Sequence, residues 1–194
     1  MLERSECSCQ KCQLFCKVMP SYLLPEDIIP YMGATGYLNE DELEEGDKLE
    51  MHMESMLPWA KKTLLASDGA IVKTSSGLMH IPTLVPNNRK NGSCIHYNQQ
   101  SGLCQVHDSA PFGCRFFSCD MGESAADILS KASVERLAHI WETLMSEPEE
   151  LATVEAMYVA IWLELEKTGS KRKRTTVALR KRFANRMKEL EKDK

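Results

Sequence analysis

The concentrated chemistry of this 194-residue sequence lies in its eight cysteines, which fall into two short groups with none in between. Cys94, Cys104, Cys114 and Cys119 occupy CIHYNQQSGLCQVHDSAPFGCRFFSC, separated by nine, nine and four residues. Cys7, Cys9, Cys12 and Cys16 occupy CSCQKCQLFC, separated by one, two and three. Four thiolates close a tetrahedral zinc site or carry a four-cysteine iron–sulfur cluster, so iron–sulfur or zinc is the expected cofactor. Spacing alone does not separate the two metals. The ligands make two centres, or pool across the groups into one. Cys9 and Cys12 form a CxxC, a spacing that lets two thiolates grip one ion. One helical turn would stack Cys12 and Cys16 on a common face. The first group is neither the bacterial ferredoxin run nor the single CxxC of a thioredoxin.

His96 and His107 lie inside the second group. Imidazole suits both zinc and iron, so either is a candidate ligand. Because eight thiols already suffice for two sites, a neighbouring role that orients the ligands is preferred. Phe112, Phe116 and Phe117 crowd Cys114 and Cys119, and would screen a centre from water or serve as ordinary core. Asp108 and Asp120 flank cluster cysteines without a pattern of their own. There is no glycine-flanked nucleophilic serine, no carboxylate pair spaced for acid–base work and no glycine-rich phosphate loop. Hydrolytic and nucleotide-dependent chemistry therefore has no visible carrier. An iron–sulfur oxidoreductase-like or modification-related activity stays open.

The elements that must hold these cysteines are short. Pro111, Gly113 and the Asn, Gln and Ser residues of the second group make loop and turn rather than long helix. Chain that irregular buries little apolar surface, and a bound metal would supply about 10–16 kcal/mol of folding free energy in its place. A hairpin is expected inside it, with Ile95–Tyr97 and Cys104–Val106 around Gln99–Gly102. Another is expected at Ile71–Lys73 and Leu78–Ile81 around a Ser-Ser-Gly turn. Pro25, followed by Glu26 and Asp27, begins a helix that Pro30 and Gly33 keep short. A helix capped by Asp47 and Glu50 is expected to carry Leu49, Met53, Met56, Ala60 and Leu64, kinked at Pro58 and ended by Ser67, Asp68 and Gly69. Its methionines are core filling rather than ligands. Beyond Cys119 come helices only. One is capped by Ser130 or Ser133 and runs through Met145. The next starts at Ser146 and Pro148, with a stripe of Leu151, Val154, Tyr158, Ile161 and Leu165. A third, from Thr175, has Leu179, Phe183, Met187 and Leu190 on one face.

The fold class expected is α+β, mostly helical, with short hairpins and irregular loops organised around the cysteine sites. Residues 1–122 form the metal-binding domain and 123–194 a helical extension with a basic tail. Hydrophobic content of 43% suits a protein with a real core, and no apolar run approaches the ~20 residues of a membrane span. The N-terminus carries charges and cysteines where a signal peptide needs an apolar stretch, which points to the cytoplasm, where thiols stay reduced. Four disulfides in an exported protein are the alternative. The net charge of -4 hides an asymmetry: residues 171–194 hold eleven Lys or Arg against three acids, whereas the rest holds thirteen against twenty-five. The basic stretch 171–188 would meet nucleic acid or an acidic protein partner, or dock on the acidic body. With the metal as a mere staple, the protein would be a binding module acting through that helix.

The sequence resembles the YkgJ-type cysteine-cluster family, described as zinc- or iron-chelating CxxCxxCC domains. The resemblance runs through CSCQKCQLFCKVMPSYLLPEDI, LLASDGAIV, IPTLVP and CIHYNQQSGLCQVHDSAPFGCRFFSC, about residues 7–120, and PFGCR is its most specific part. It implies metal chelation by the cysteines and no particular reaction. A similar cluster occurs in flagellin lysine N-methylase, which implies that iron–sulfur chemistry is compatible with such a framework. Many members close the first group with adjacent cysteines. Here Cys16 is followed by Lys17, and Cys7 and Cys9 lie ahead.

Overall fold

The computed structural model describes residues 10–18, 21–39, 53–69, 71–74, 77–116 and 123–170. The fold is α+β and mostly helical. Its elements in chain order are α1 (Gln10–Val18), a 3-10 turn (Pro25–Asp27) leading into α2 (Ile28–Ala34), α3 (Met53–Thr63) and the strands β1 (Leu64–Ser67), β2 (Ile71–Thr74), β3 (Gly77–His80) and β4 (Thr83–Pro86). After a long irregular segment come a 3-10 turn (His107–Ser109), α4 (Phe112–Phe116), α5 (Glu123–Ser146), a further turn (Pro148–Glu150) and α6 (Thr153–Lys167). No helix among the described residues is long and apolar enough to cross a membrane. The expected helix from Thr175 and the basic stretch 171–188 lie outside the described residues, as does the expected cap at Asp47 and Glu50.

Among the described residues, four strands make two separate antiparallel pairs, β2 with β3 and β1 with β4. The first is the expected hairpin, with Lys73 opposite Leu78. The second was not expected: Leu64 belongs to β1, where Leu64 pairs with Pro86 and Ser67 with Thr83, and not to the preceding helix. The helix stops at Thr63 because Asn87 takes its last carbonyls. The Asn87 backbone N–H donates to Thr63 O at 2.8 Å, and its side-chain amide donates to Lys61 O and Lys62 O at 3.3 and 3.1 Å. Orphan carbonyls at a helix end need such partners, and here they come from the residue just past β4. Pro58 lies within α3 without ending it. Ser67, Asp68 and Gly69 accordingly end a strand. Gly69, at φ +63°, has no room for a side chain, since a Cβ there would stand 1.9 Å from Ile81 O.

The core sits between α2, α3, the β1–β4 pair and the helices α5 and α6. One hydrophobic cluster includes Leu23, Ile28, Tyr31, Leu64 and Leu84 together with Leu137, Ile140, Tyr158, Ile161 and Leu165, so residues on both sides of position 122 share it. The stripe foreseen on α6 is buried at Tyr158, Ile161 and Leu165. Its tyrosine completes a sheet edge. Leu23 pairs with Leu84 but donates only one ladder bond, N to O at 2.8 Å. Tyr158 stands in the place of the other: its hydroxyl accepts from Leu84 N at 2.9 Å and donates to Leu23 O at 3.0 Å. Every buried backbone group at this junction is thereby met.

α5 begins at Glu123, ahead of both expected caps, which leaves Ser130 and Ser133 inside the helix. A serine can sit there when its hydroxyl bonds back to the preceding turn. Ser133 Oγ donates to Ser130 O at 3.0 Å and also meets the Tyr22 hydroxyl. Two indoles tie these helices to the strands: Trp141 Nε1 donates to Pro82 O at 2.9 Å and Trp162 Nε1 to Ser67 O at 3.2 Å.

Candidate metal centre

The segment from Asn87 to Pro111 has no regular element apart from one short turn, as its composition foretold. Its shape is set by polar side chains turned back on the chain. Arg89 N–H donates to Ser93 O at 2.7 Å, and Gly92 closes the turn at φ +87°. The Arg89 guanidinium then reaches forward to Tyr97 O and Ile95 O, at 2.6 and 2.8 Å, and so fixes the chain on both sides of His96. Asn98 Oδ1 accepts from Gln100 N and Ser101 N at 2.9 and 3.2 Å, an Asx turn that starts the return. The hairpin expected here is reduced to a single bridge between Tyr97 and Cys104. Flanking bonds run from Asn98 N to Leu103 O and from Gln105 N to His96 O, both at 2.9 Å. The Asx turn takes up the residues that would have lengthened the ladder.

The two cysteine groups, nearly eighty residues apart in sequence, meet through backbone. Cys94 N–H donates to Cys16 O at 2.7 Å, so the last turn of α1 docks on the start of the second group. Cys12 lies one helical turn earlier on the same helix, as its spacing implied. Tyr97 extends the seam: its hydroxyl donates to Gln13 Oε1 at 3.4 Å and Lys17 Nζ stands 5.6 Å from its ring centroid. Gly102 lets Gln13 approach closely, since a Cβ there would be 2.8 Å from Gln13 Nε2.

Cys114 is placed by a different device. It lies on α4, and α4 is clamped by Asp27 at the end of the Pro25 turn. Asp27 Oδ2 accepts from Leu24 N and from Phe112 N, each at 2.8 Å, and Oδ1 accepts from Arg115 at 2.5 Å. Burial pushes the Asp27 carboxyl above its ordinary range, while the two N–H donors and the guanidinium pull it back. The role of Asp27 was not foreseen. Its only sequence signal was the acid at the helix start, which was read as helix-dipole chemistry.

At the centre of these parts is Tyr31 on α2, fully buried. Its hydroxyl is 2.6 Å from His96 Nε2 and donates toward Thr63 O at 3.3 Å. The imidazole and phenol rings meet edge to face, with centroids 5.4 Å apart. Burial holds the phenol well above its usual range, and the charges of Cys94, Cys114 and Cys104 add to the effect. Burial, and then the nearby Arg89 guanidinium, lower the His96 pKa to about 4, so the ring is neutral near pH 7.

Of the eight cysteines singled out by sequence, Cys16, Cys94, Cys104 and Cys114 are placed with their side chains. Cys94 is buried and the other three are partly buried. No disulfide joins any two of these four. Cys12 is described only as backbone, and Cys7, Cys9 and Cys119 lie outside the described residues, as do Phe117 and Asp120. Among the described residues no three His, Cys, Asp or Glu side chains form a ready cage for an ion. His107 starts its 3-10 turn, and His96 has one ring nitrogen engaged by Tyr31. The four placed cysteines offer soft sulfur in buried or partly buried positions, a donor type that suits zinc or iron rather than a hard cation. Comparison of the chain with protein-family models, with curated proteins and with solved structures finds no match.

Proposed function

We propose that this is a cysteine-cluster metal-binding protein of the kind its sequence resembles, holding iron, as an iron–sulfur cluster, or zinc. The observation that carries this reading is the 2.7 Å bond from Cys94 N–H to Cys16 O, which joins the two cysteine groups in space, together with the free thiols of Cys16, Cys94, Cys104 and Cys114. Cysteines that merely filled core would have no reason to fall in two short groups that the fold then joins. Cys16, Cys94, Cys104 and Cys114 would hold the metal, with Cys12 one turn before Cys16 and with Cys7, Cys9 and Cys119 completing the eight. A closed zinc site would act as a staple for the irregular segment, whereas an iron–sulfur cluster would add electron transfer. Thiols kept reduced suit a cytoplasmic setting.

Serine substitution separates ligation from packing. A buried bystander cysteine behaves as a small hydrophobe, so Cys→Ser there costs little. Loss of a ligand opens the site and forfeits part of the metal's folding energy. Cys114→Ser or Cys119→Ser is expected to lower metal content and solubility, and Cys7→Ser, nearest the terminus, to be milder. Full metal occupancy in Cys114→Ser would overturn the ligand assignment and turn attention to His96 and His107.

A further inference from the structure

We propose that the cleft where the two cysteine segments meet is a binding site for a small phosphorylated molecule, held by its phosphoryl group at Lys17, Asn91 and Gln99. The inference goes beyond the metal-binding reading and does not depend on it.

A cavity of about 390 Å³ opens at this seam, lined among the described residues by Lys17, Asn91, Ser93, Tyr97 and Gln99. Small-molecule sites have this size. One wall comes from α1, where Lys17 follows Cys16, and the other from the loop, where Ser93 precedes Cys94. Ser93 and Tyr97 are buried, whereas Lys17, Asn91 and Gln99 are exposed, so a ligand arriving from solvent meets the last three.

What those three side chains offer is donors. Asn91 Oδ1 accepts from Ser93 N at 3.1 Å and from Ser93 Oγ at 2.7 Å. A backbone N–H can only donate, so the atom facing it is the amide oxygen, and the Asn91 NH2 group keeps both its N–H bonds to give. Gln99 is carried by the Asx turn that Asn98 builds, and its own amide takes no partner among the described residues. The Lys17 ammonium stands 5.6 Å from the Tyr97 ring centroid, and no carboxylate among the described residues pairs with it.

The surroundings favour an anion. The protein has a net charge of -4, yet neither α1 nor the stretch between Asp68 and Asp108 holds an acid, while the two contain Lys11, Lys17, Lys73, Arg89 and Lys90. A cleft walled by one sign of charge concentrates ligands of the opposite sign. The shape of the donors then selects among anions. A flat carboxylate is best met by a guanidinium fork, and the guanidinium bonded to the Tyr97 carbonyl, that of Arg89, is spent on it and on Ile95 O. Three separate donor heads, one of them a compact ammonium, suit the several oxygens of a phosphoryl group instead.

Calorimetric titration of the reduced full-length chain with phenyl phosphate tests this, with benzoate as the carboxylate of similar body. The wild type should bind phenyl phosphate, and more tightly than benzoate. Lys17→Ala removes a charge-assisted hydrogen bond and should weaken binding roughly 10- to 100-fold. Asn91→Asp keeps an oxygen for Ser93, and so keeps the turn, but puts a negative oxygen where the NH2 was; binding should be lost. Lys131→Ala is the control, since that lysine lies on α5 beside Glu135 and does not line the cleft, and it should bind as the wild type does. No binding of phenyl phosphate by the wild type would overturn the proposal, as would equal losses in Lys17→Ala and Lys131→Ala, the mark of diffuse attraction. Benzoate bound as tightly as phenyl phosphate would overturn the phosphoryl assignment. Metal content, measured on the same protein, decides the metal-binding reading separately.

Discussion

Removing the Asp27 carboxylate is expected to unseat Cys114, and the cost can be worked from its partners. Asp27 is 2% exposed and its Oδ2 is the acceptor for Leu24 N and Phe112 N. Asp27→Ala strands both donors, each costing about 1–3 kcal/mol when left unmet in a buried place, so roughly 4 kcal/mol in total. Asp27→Asn behaves differently. An amide oxygen in the Oδ2 position keeps both backbone bonds, and burial already disfavours the charge that is lost. Its NH2 group would face Arg115, whose side chain, 24% exposed, can turn toward water. The asparagine variant should therefore lose only about 1 kcal/mol, a typical net hydrogen-bond contribution. Urea unfolding gives the two stabilities. Maleimide labelling with peptide mapping then reads the release of α4 as faster modification of Cys114 in Asp27→Ala alone. If alanine proves as mild as asparagine and Cys114 labels at the wild-type rate, Asp27 is not the clamp.

Two further expectations come from the buried rings. His96 has a folded-state pKa of about 4 against an ordinary 6.5. The unfolded chain thus binds the proton first, and stability falls as pH drops through that window and levels below it. At about pH 5 the wild type should have lost about 2 kcal/mol relative to neutral pH that His96→Gln does not lose, measured by urea unfolding, and equal losses in the two proteins would contradict this. Tyr158→Phe removes the hydroxyl that joins Leu84 N to Leu23 O, and should cost about 2–4 kcal/mol in the same assay while leaving metal content unchanged. A loss below about 0.5 kcal/mol would show that the strand junction is met in another way.

Much of the framework is legible in the sequence because it depends on local pattern. The Ser-Ser-Gly hairpin, the helical turn joining Cys12 to Cys16 and the buried stripe of Tyr158, Ile161 and Leu165 all follow from periodicity over a few residues. The errors fall where a distant partner decides. Leu64 fits the apolar spacing of α3 as well as it fits a strand, and only Asn87 and β4, about twenty residues on, end the helix before it. Ser133 looks like a cap until its hydroxyl is seen bonded to Ser130 O and Tyr22. The two cysteine groups stand out in the sequence, but the residues that shape the chain around them do not. Asp27, Arg89 and Tyr31 stand in ordinary sequence contexts, and their roles arise from hydrogen bonds reaching across the fold or along an irregular loop.

The most direct test of the central claim is the metal itself. Protein purified without oxygen should retain iron or zinc at about one or two centres per chain, the number that four-thiolate sites allow for eight cysteines. Iron with acid-labile sulfide and broad visible absorption would identify a cluster, and zinc without either would identify a staple. A folded, reduced chain that holds neither metal, with all eight thiols open to titration, would contradict the account.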